Sequence, residues 1–296
     1  MGYSAQHHEP GHFRSHGYRI RPASLVLAAG VIGAALSSSG AAFQAVFANP
    51  LVSPGVLGVL AGASFGAALG ILWSCGWPMI QGLAFVFGSC AAAFAVGLSQ
   101  GQAGDRVLML VLGGIVSSAL FTALVSVVKT VADPYNQLPT IVFWLMGSLA
   151  NVKGPALLLG APPMMVAVIG LVLLGRALDV LAMGEDEARS LGMPVAPARL
   201  LVIGLATMAG ALSVALAGVV GWVGLIVPHA VRRLVGPCNR RVMPASAVLG
   251  AAFLIGVDTA SRTLFTSEIP LGLATALIGV PFLAMLVRRG RRGWQG

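Results

Sequence analysis

The sequence predicts an all-α membrane protein, a polytopic helical bundle, on three observations. Hydrophobic residues occupy 57% of its 296 positions and charged residues only 9%. The mean hydropathy is +0.90, a balance that places the chain in lipid rather than water. The apolar runs are long and do not alternate, so each span satisfies its backbone polar groups as a helix rather than as a barrel strand.

Apolar segments follow one another at about 23–47, 55–73, 77–98, 106–129, 155–177, 198–220, 244–264 and 270–288. Two more, at about 139–150 and 226–235, are too short to cross alone and read as partial helices buried in protein. Counting the second of these as a partial span gives nine. The chain then divides into a polar N-terminal tail (1–21), one transmembrane domain (22–289) and a basic tail (290–296).

Thirty-nine glycines suit a bundle in which small residues let backbones approach, and Gly62, Gly66 and Gly70 mark a packing face at four-residue spacing. With nine spans, Arg106, Arg176, Arg189, Arg199, Arg232, Arg233, Arg240, Arg241, Arg288, Arg289, Arg291 and Arg292 share one face, which is 12 of the 18 basic residues. The positive-inside rule makes that face cytoplasmic and accounts for the net charge of +9 without nucleic acid. The localisation predicted is a bacterial or archaeal cytoplasmic (inner) membrane.

Several chemistries find no support. Cys75, Cys90 and Cys238 show neither metal-ligand nor redox spacing. His7, His8, His12 and His16 lie among Pro10, Gly11 and Gly17 and read as a polar tail rather than a metal site. No apolar core follows the first basic residues as a signal peptide requires. No phosphate-binding loop of the Gly-rich, Lys-Ser/Thr type occurs, so ATP hydrolysis is not expected from this chain. No metal or cofactor is expected, and an enzyme would need a nucleophile–base set that His229 alone does not supply.

Four regions carry functional signals. The stretch LDVLAMGEDEARSLGMPVAPAR is strongly polar. Within it Glu185, Asp186 and Glu187 open a short helix, where acids favour the positive end of the helix dipole, and Gly192 and Pro194 stop it. Such a capped helix is a rigid handle for another protein's groove. The segments Asn49–Gly58 and Val223–Gly236 place Pro50 and Pro228 in apolar patterns, so helices are expected to break or start there. Paired breaks point to inverted repeats and a translocation path. Gln44, Asn49 and the serines Ser37, Ser38 and Ser39 are candidate path residues, with helix–helix contact the alternative for the serines. His229 beside Pro228 is a ligand or a structural histidine. Asp258 and Arg262, four residues apart, form a local salt bridge, a proton relay or a docking point.

The blocks SGAAFQAVFANPLVSPGVLGVLAGASFGAALG, ADPYNQLPTIVFWLMGSLA, LAMGEDEARSLGM, GVVGWVGLIVPHAVRRLVGP, DTASRTLF and EIPLGLATALIGVPFLAMLVRR occur in that order. They resemble the permeases of type II ATP-binding-cassette importers for ferric siderophores, haem and cobalamin. The resemblance implies a permease subunit, a homodimer in membrane lipid that works with separate ATP-binding-cassette ATPase subunits and a periplasmic or lipid-anchored substrate-binding protein. It assigns Gly184, Glu185, Asp186, Glu187, Ala188, Arg189, Leu191 and Gly192 to ATPase coupling and Arg262 to docking of the binding protein. The substrate it favours is an iron-siderophore-type chelate, with haem, cobalamin or molybdate as alternatives; a gradient-driven carrier is the alternative of a different class.

Two departures stand out. The family has ten spans and an Arg-Leu-Pro-Arg block before the second, whereas here Pro22 and Leu25 fall at its arginine positions and no apolar first span precedes them. The expectation is a start codon further upstream that restores the missing span, with a protein that works with nine spans as the alternative.

Overall fold

The computed structural model describes residues 22–100, 106–150, 152, 154–263 and 269–292. The expected polar tail, with its histidines and Arg14, Arg19 and Arg21, lies outside the described residues, as does 293–296. The described residues form helices and one short 3-10 turn, in the order α1 (Pro22–Val46), the turn Pro54–Leu57, α2 (Val59–Leu72), α3 (Trp77–Ser99), α4 (Arg106–Val131), α5 (Gln137–Leu145), α6 (Gly154–Leu173), α7 (Gly175–Leu181), α8 (Glu185–Ser190), α9 (Val195–Ala217), α10 (Val223–Val235), α11 (Asn239–Thr263) and α12 (Leu271–Arg292).

Six helices, α1, α3, α4, α6, α9 and α11, are long and apolar enough to cross a membrane. The stretch expected to span at 55–73 is shorter than its hydropathy suggests, because the 3-10 turn consumes its start and leaves α2 with 14 residues. The two partial segments are α5, with nine residues, and α10, with 13.

Helix α1 is the axial element, with Ser37, Ser38 and Ser39 each 0% exposed. It packs along α9, α10 and α11, while α9 packs along α2, α3 and α6. This exchange fits two inverted halves, α1–α4 and α9–α12, each placing its first long helix against the other's second and third elements.

Close helix contact depends on missing side chains. A methyl group at Gly62 or Gly66 would overlap the Phe87 or Leu83 carbonyl of α3, and one at Gly70 would press on Ile80. The expected packing face of α2 is therefore the α2–α3 seam. Hydroxyls add polar ties across the seams. Ser37 donates to the Ser246 carbonyl of α11 at 2.7 Å and Ser39 to the Ala206 carbonyl of α9 at 2.7 Å.

At the end of the bundle away from the basic residues, three segments are joined by backbone hydrogen bonds. Ser148 N–H donates to Ala217, Leu271 N–H to Gly147 and Gly272 N–H to Met146, at 2.8, 2.9 and 3.0 Å. Gly218 ends α9 at φ 70° and ψ −164°, a conformation open essentially only to glycine, and turns the chain back toward the middle of the bundle. In the loop before α5, Asn136 and the Tyr135 backbone N–H donate to Asp133 and hold its carboxyl below the usual range.

Candidate functional site

The acidic stretch forms the helix that its pattern predicts. Gly184 precedes it at φ 121° and ψ 164°, in the region essentially confined to glycine. The Gly192 N–H donates to the Arg189 carbonyl at 2.9 Å and the Met193 N–H to Ala188 at 3.0 Å, which closes the far end. Ala188 is fully buried, and Met183 and Leu191 stand 61% and 63% exposed on either side of the helix. Asp186 and Glu187 are exposed too. Together these four side chains make an amphipathic ridge at the basic end of the bundle.

Glu185 behaves differently from its two acidic neighbours. Its carboxylate accepts from Arg189 at 2.5 Å and from Arg199 of α9 at 3.1 Å. Arg199 is only 9% exposed and its Nε is buried without a partner. The role of Glu185 is therefore internal: it fixes α8 to the start of α9, while Asp186 and Glu187 present charge outward. Arg199 was legible only as a basic residue at a span boundary; its ion-pair role depends on a contact across 14 positions.

Gly184→Ala is expected to cost about 1–3 kcal/mol of local order, the scale of a non-glycine residue forced into this backbone region. The added methyl would also press on the Glu187 carboxylate. Faster amide hydrogen exchange across residues 182–192 would show the effect, and unchanged exchange would rule it out.

The two broken segments meet inside the bundle. After α1 the chain turns through Asn49, whose side chain accepts from the Leu51 N–H at 2.9 Å, and through Pro50 into the 3-10 turn. Pro54 at the head of that turn lies against Gly224 near the start of α10 and faces Gly210 of α9. A cavity of about 210 Å³ opens where they join, lined in part by Leu36, Ser53, Pro54, Val220, Trp222 and Leu225.

Pro228 does not break its helix as expected. α10 starts at Val223 and runs through Pro228 to Val235, and the break falls earlier, at residues 218–222. The proline sits in the second turn, where its missing N–H removes the donor that the Gly224 carbonyl would otherwise use. That carbonyl instead faces Gly40 of α1 at a distance only a glycine permits. Proline and glycine thus act together: one frees a carbonyl and the other admits it.

The remaining candidates are scattered. Gln44 is 3% exposed, accepts a hydrogen bond from Arg232 and contacts the Leu225 carbonyl at 3.5 Å, so in the single chain it joins α1 to α10 and lines no open path. Ser38 Oγ is buried without a partner. His229 packs edge-on to the Phe282 ring, with Nε2 buried and unpartnered. Arg262 Nε donates to both carboxylate oxygens of Asp258, at 3.0 and 3.1 Å, so the local salt bridge is present. Lys153 lies outside the described residues.

Six helices of membrane-spanning length, with an exposed amphipathic ridge and two broken segments that meet inside the bundle, describe a multi-pass membrane protein. The chain belongs to the FecCD transport family, whose profile matches residues 19–289. It is 40% identical over 270 residues to the molybdate import system permease protein MolB of Haemophilus influenzae, covering 90% of this chain and 80% of that protein. It is 35% identical over 278 residues to the hemin transport system permease protein HmuU of Yersinia pestis, covering 92% and 83%. A solved structure described as an inward-facing conformation of a metal-chelate type ABC transporter superposes with a TM-score of 0.85 at 38% identity, covering 90% of this chain and 85% of that one. The chain is accordingly a permease of the ATP-binding-cassette importer class.

Proposed function

We propose that two copies of this chain form the pore of an importer that moves an iron-siderophore-type metal chelate into the cytoplasm. Two ATP-binding-cassette ATPase subunits dock on α7 and α8 from the cytoplasm, and a substrate-binding protein docks on the opposite face, where Arg262 lies. The observation that carries the reading is the pairing of an exposed ridge, Met183, Asp186, Glu187 and Leu191, with broken segments that meet at a cavity in the same bundle. The cavity walls are mostly apolar with one hydroxyl, Ser53, which suits a bulky cargo that must pass without being held. The charge asymmetry supports an orientation with the basic end on the cytoplasmic side of an inner membrane.

The likeness to a metal-chelate type transporter supports a chelate as cargo. Molybdate is a second reading, favoured by the 40% identity to a molybdate permease. The deciding experiment places the permease in liposomes with an ATP-binding-cassette ATPase and a substrate-binding protein from its own organism. Uptake of radiolabelled ferric hydroxamate siderophore, haem, cobalamin and molybdate is then compared. ATP-dependent entry of the siderophore alone is the expected result; entry of molybdate alone replaces the substrate. Uptake driven by an ion gradient without the ATPase overturns the importer reading itself.

A further inference from the structure

Helices α7 and α8 are tied to the rest of the bundle at two polar points, and the second of them leads inward. Asp179, on α7, caps the first turn of α11. Its Oδ1 accepts from the Asn239 N–H at 2.5 Å, and its Oδ2 lies 3.4 Å from the Arg240 N–H and 3.3 Å from the Cys238 thiol. A carboxylate here meets the positive end of α11's dipole as well as its free amides, a charge-assisted arrangement stronger than a neutral cap. The fit is close, since a methyl at Gly175, the first residue of α7, would stand 2.9 Å from the Arg240 Cα.

The capped residue continues the connection. Asn239 is 4% exposed, and its side-chain oxygen faces Arg232 Nη2 of α10 at 3.3 Å. The same guanidinium donates to Gln44 and lies 3.4 Å from the Ala41 carbonyl, both on α1. Gln44 in turn reaches the Leu225 carbonyl, one residue past the Gly224 that meets Gly40 and Pro54. A continuous polar chain therefore runs from α7 through the start of α11 and the end of α10 to the cavity where the broken segments meet. The links join different elements, the last of them, Gln44 to Leu225, at 3.5 Å.

We infer that Asp179 is a positioning residue for transport, transmitting displacement of α7 and α8 through Asn239, Arg232 and Gln44 to the cavity beside Ser53. This rests on the proposed docking of ATPase subunits on that handle. It assigns to α7, rather than to the exposed acids of α8, the link that carries motion inward.

The test uses the permease assembled with its ATPase subunits in lipid nanodiscs, with Cys75, Cys90 and Cys238 changed to serine and Ser53→Cys added as reporter. The rate at which a charged methanethiosulfonate reagent labels residue 53 is read with and without ATP plus vanadate. In the parent, nucleotide is expected to change this rate. Asp179→Ala is expected to shrink the change about tenfold, the factor expected for loss of a charge-assisted hydrogen bond. Asp179→Asn keeps an acceptor for the Asn239 N–H and is expected to retain most of the change. Gln44→Leu, at the far end of the chain, is expected to shrink it as Asp179→Ala does, and this arm decides the matter if Asp179→Ala fails to assemble. Undiminished changes in Asp179→Ala, or in Gln44→Leu where the first cannot be assembled, overturn the inference while leaving the importer reading intact. A parent whose labelling ignores nucleotide overturns the ATPase-docking reading, and this inference falls with it.

Discussion

Gly40→Ala is expected to disable this protein, although alanine is the better helix former. Gly40 lies inside α1, where replacing glycine by alanine gains about 1 kcal/mol in an unobstructed helix. Here the new methyl would fall on the carbonyl oxygen, carbonyl carbon and Cα of Gly224. All three are backbone atoms of α10, so no side chain can rotate away. Relief requires α10 to move off α1, which breaks the contacts of Gln44 with Leu225 and Arg232 and lifts Gly224 from Pro54. Overpacking costs about 1–3 kcal/mol, and an overlap with rigid backbone belongs at the upper end of that range, above the propensity gain. Gly204 of α9 is the matched control, because a methyl there meets no atom within 4 Å. Gly204→Ala is expected to melt at or above the parent temperature in detergent, Gly40→Ala several degrees lower and without transport. Equal melting of the two would show that α1 and α10 are not held at this distance.

The contrast between Gly40 and Gly204 shows where the sequence stops being legible. Both are glycines in apolar helices, and composition marks them alike. Only the tertiary contact separates them, because the clash at Gly40 comes from a residue 184 positions away that no local period encodes. The bundle itself was readable, since lipid forces each span to satisfy its own backbone and hydropathy reports that directly. The short helix at Glu185–Ser190 was readable too, because its glycines and acids are local signals.

What failed at Pro228 was an argument from one residue. A proline ends a helix when its ring and missing donor go uncompensated, but in the second turn the lost bond is a single one, and Gly40 accepts the freed carbonyl's close approach. The break came instead at Gly218, where a glycine-only conformation ends α9. The polar contacts of Asp179, Arg199 and Arg232 were invisible for the same reason as Gly40. Each side chain was legible as a charge, and its partner was not.

Separating the three acids of α8 gives the second large effect. Asp186 and Glu187 face outward, so replacing both by alanine is expected to leave thermal stability within about 0.5 kcal/mol, as for ordinary surface substitutions. If α8 is the docking handle, the same double variant loses ATP-driven uptake. Glu185→Ala is expected to do something different. It removes the acceptor of Arg199, which is 9% exposed and has another nitrogen already unpartnered. An orphaned buried cation costs about 3–5 kcal/mol when fully enclosed; the Glu185 side chain is 24% exposed, so the lower end applies. Adding Arg199→Met to Glu185→Ala is expected to recover most of that stability, because an unbranched apolar side chain replaces the stranded charge. Uptake is not expected to return with it, since α8 is then no longer tied to α9. Melting temperatures of the two singles and the double, set beside uptake by each, divide stability from coupling. If Glu185→Ala melts like the Asp186, Glu187 variant, the pair with Arg199 contributes nothing to the fold and all three acids belong to the docking surface.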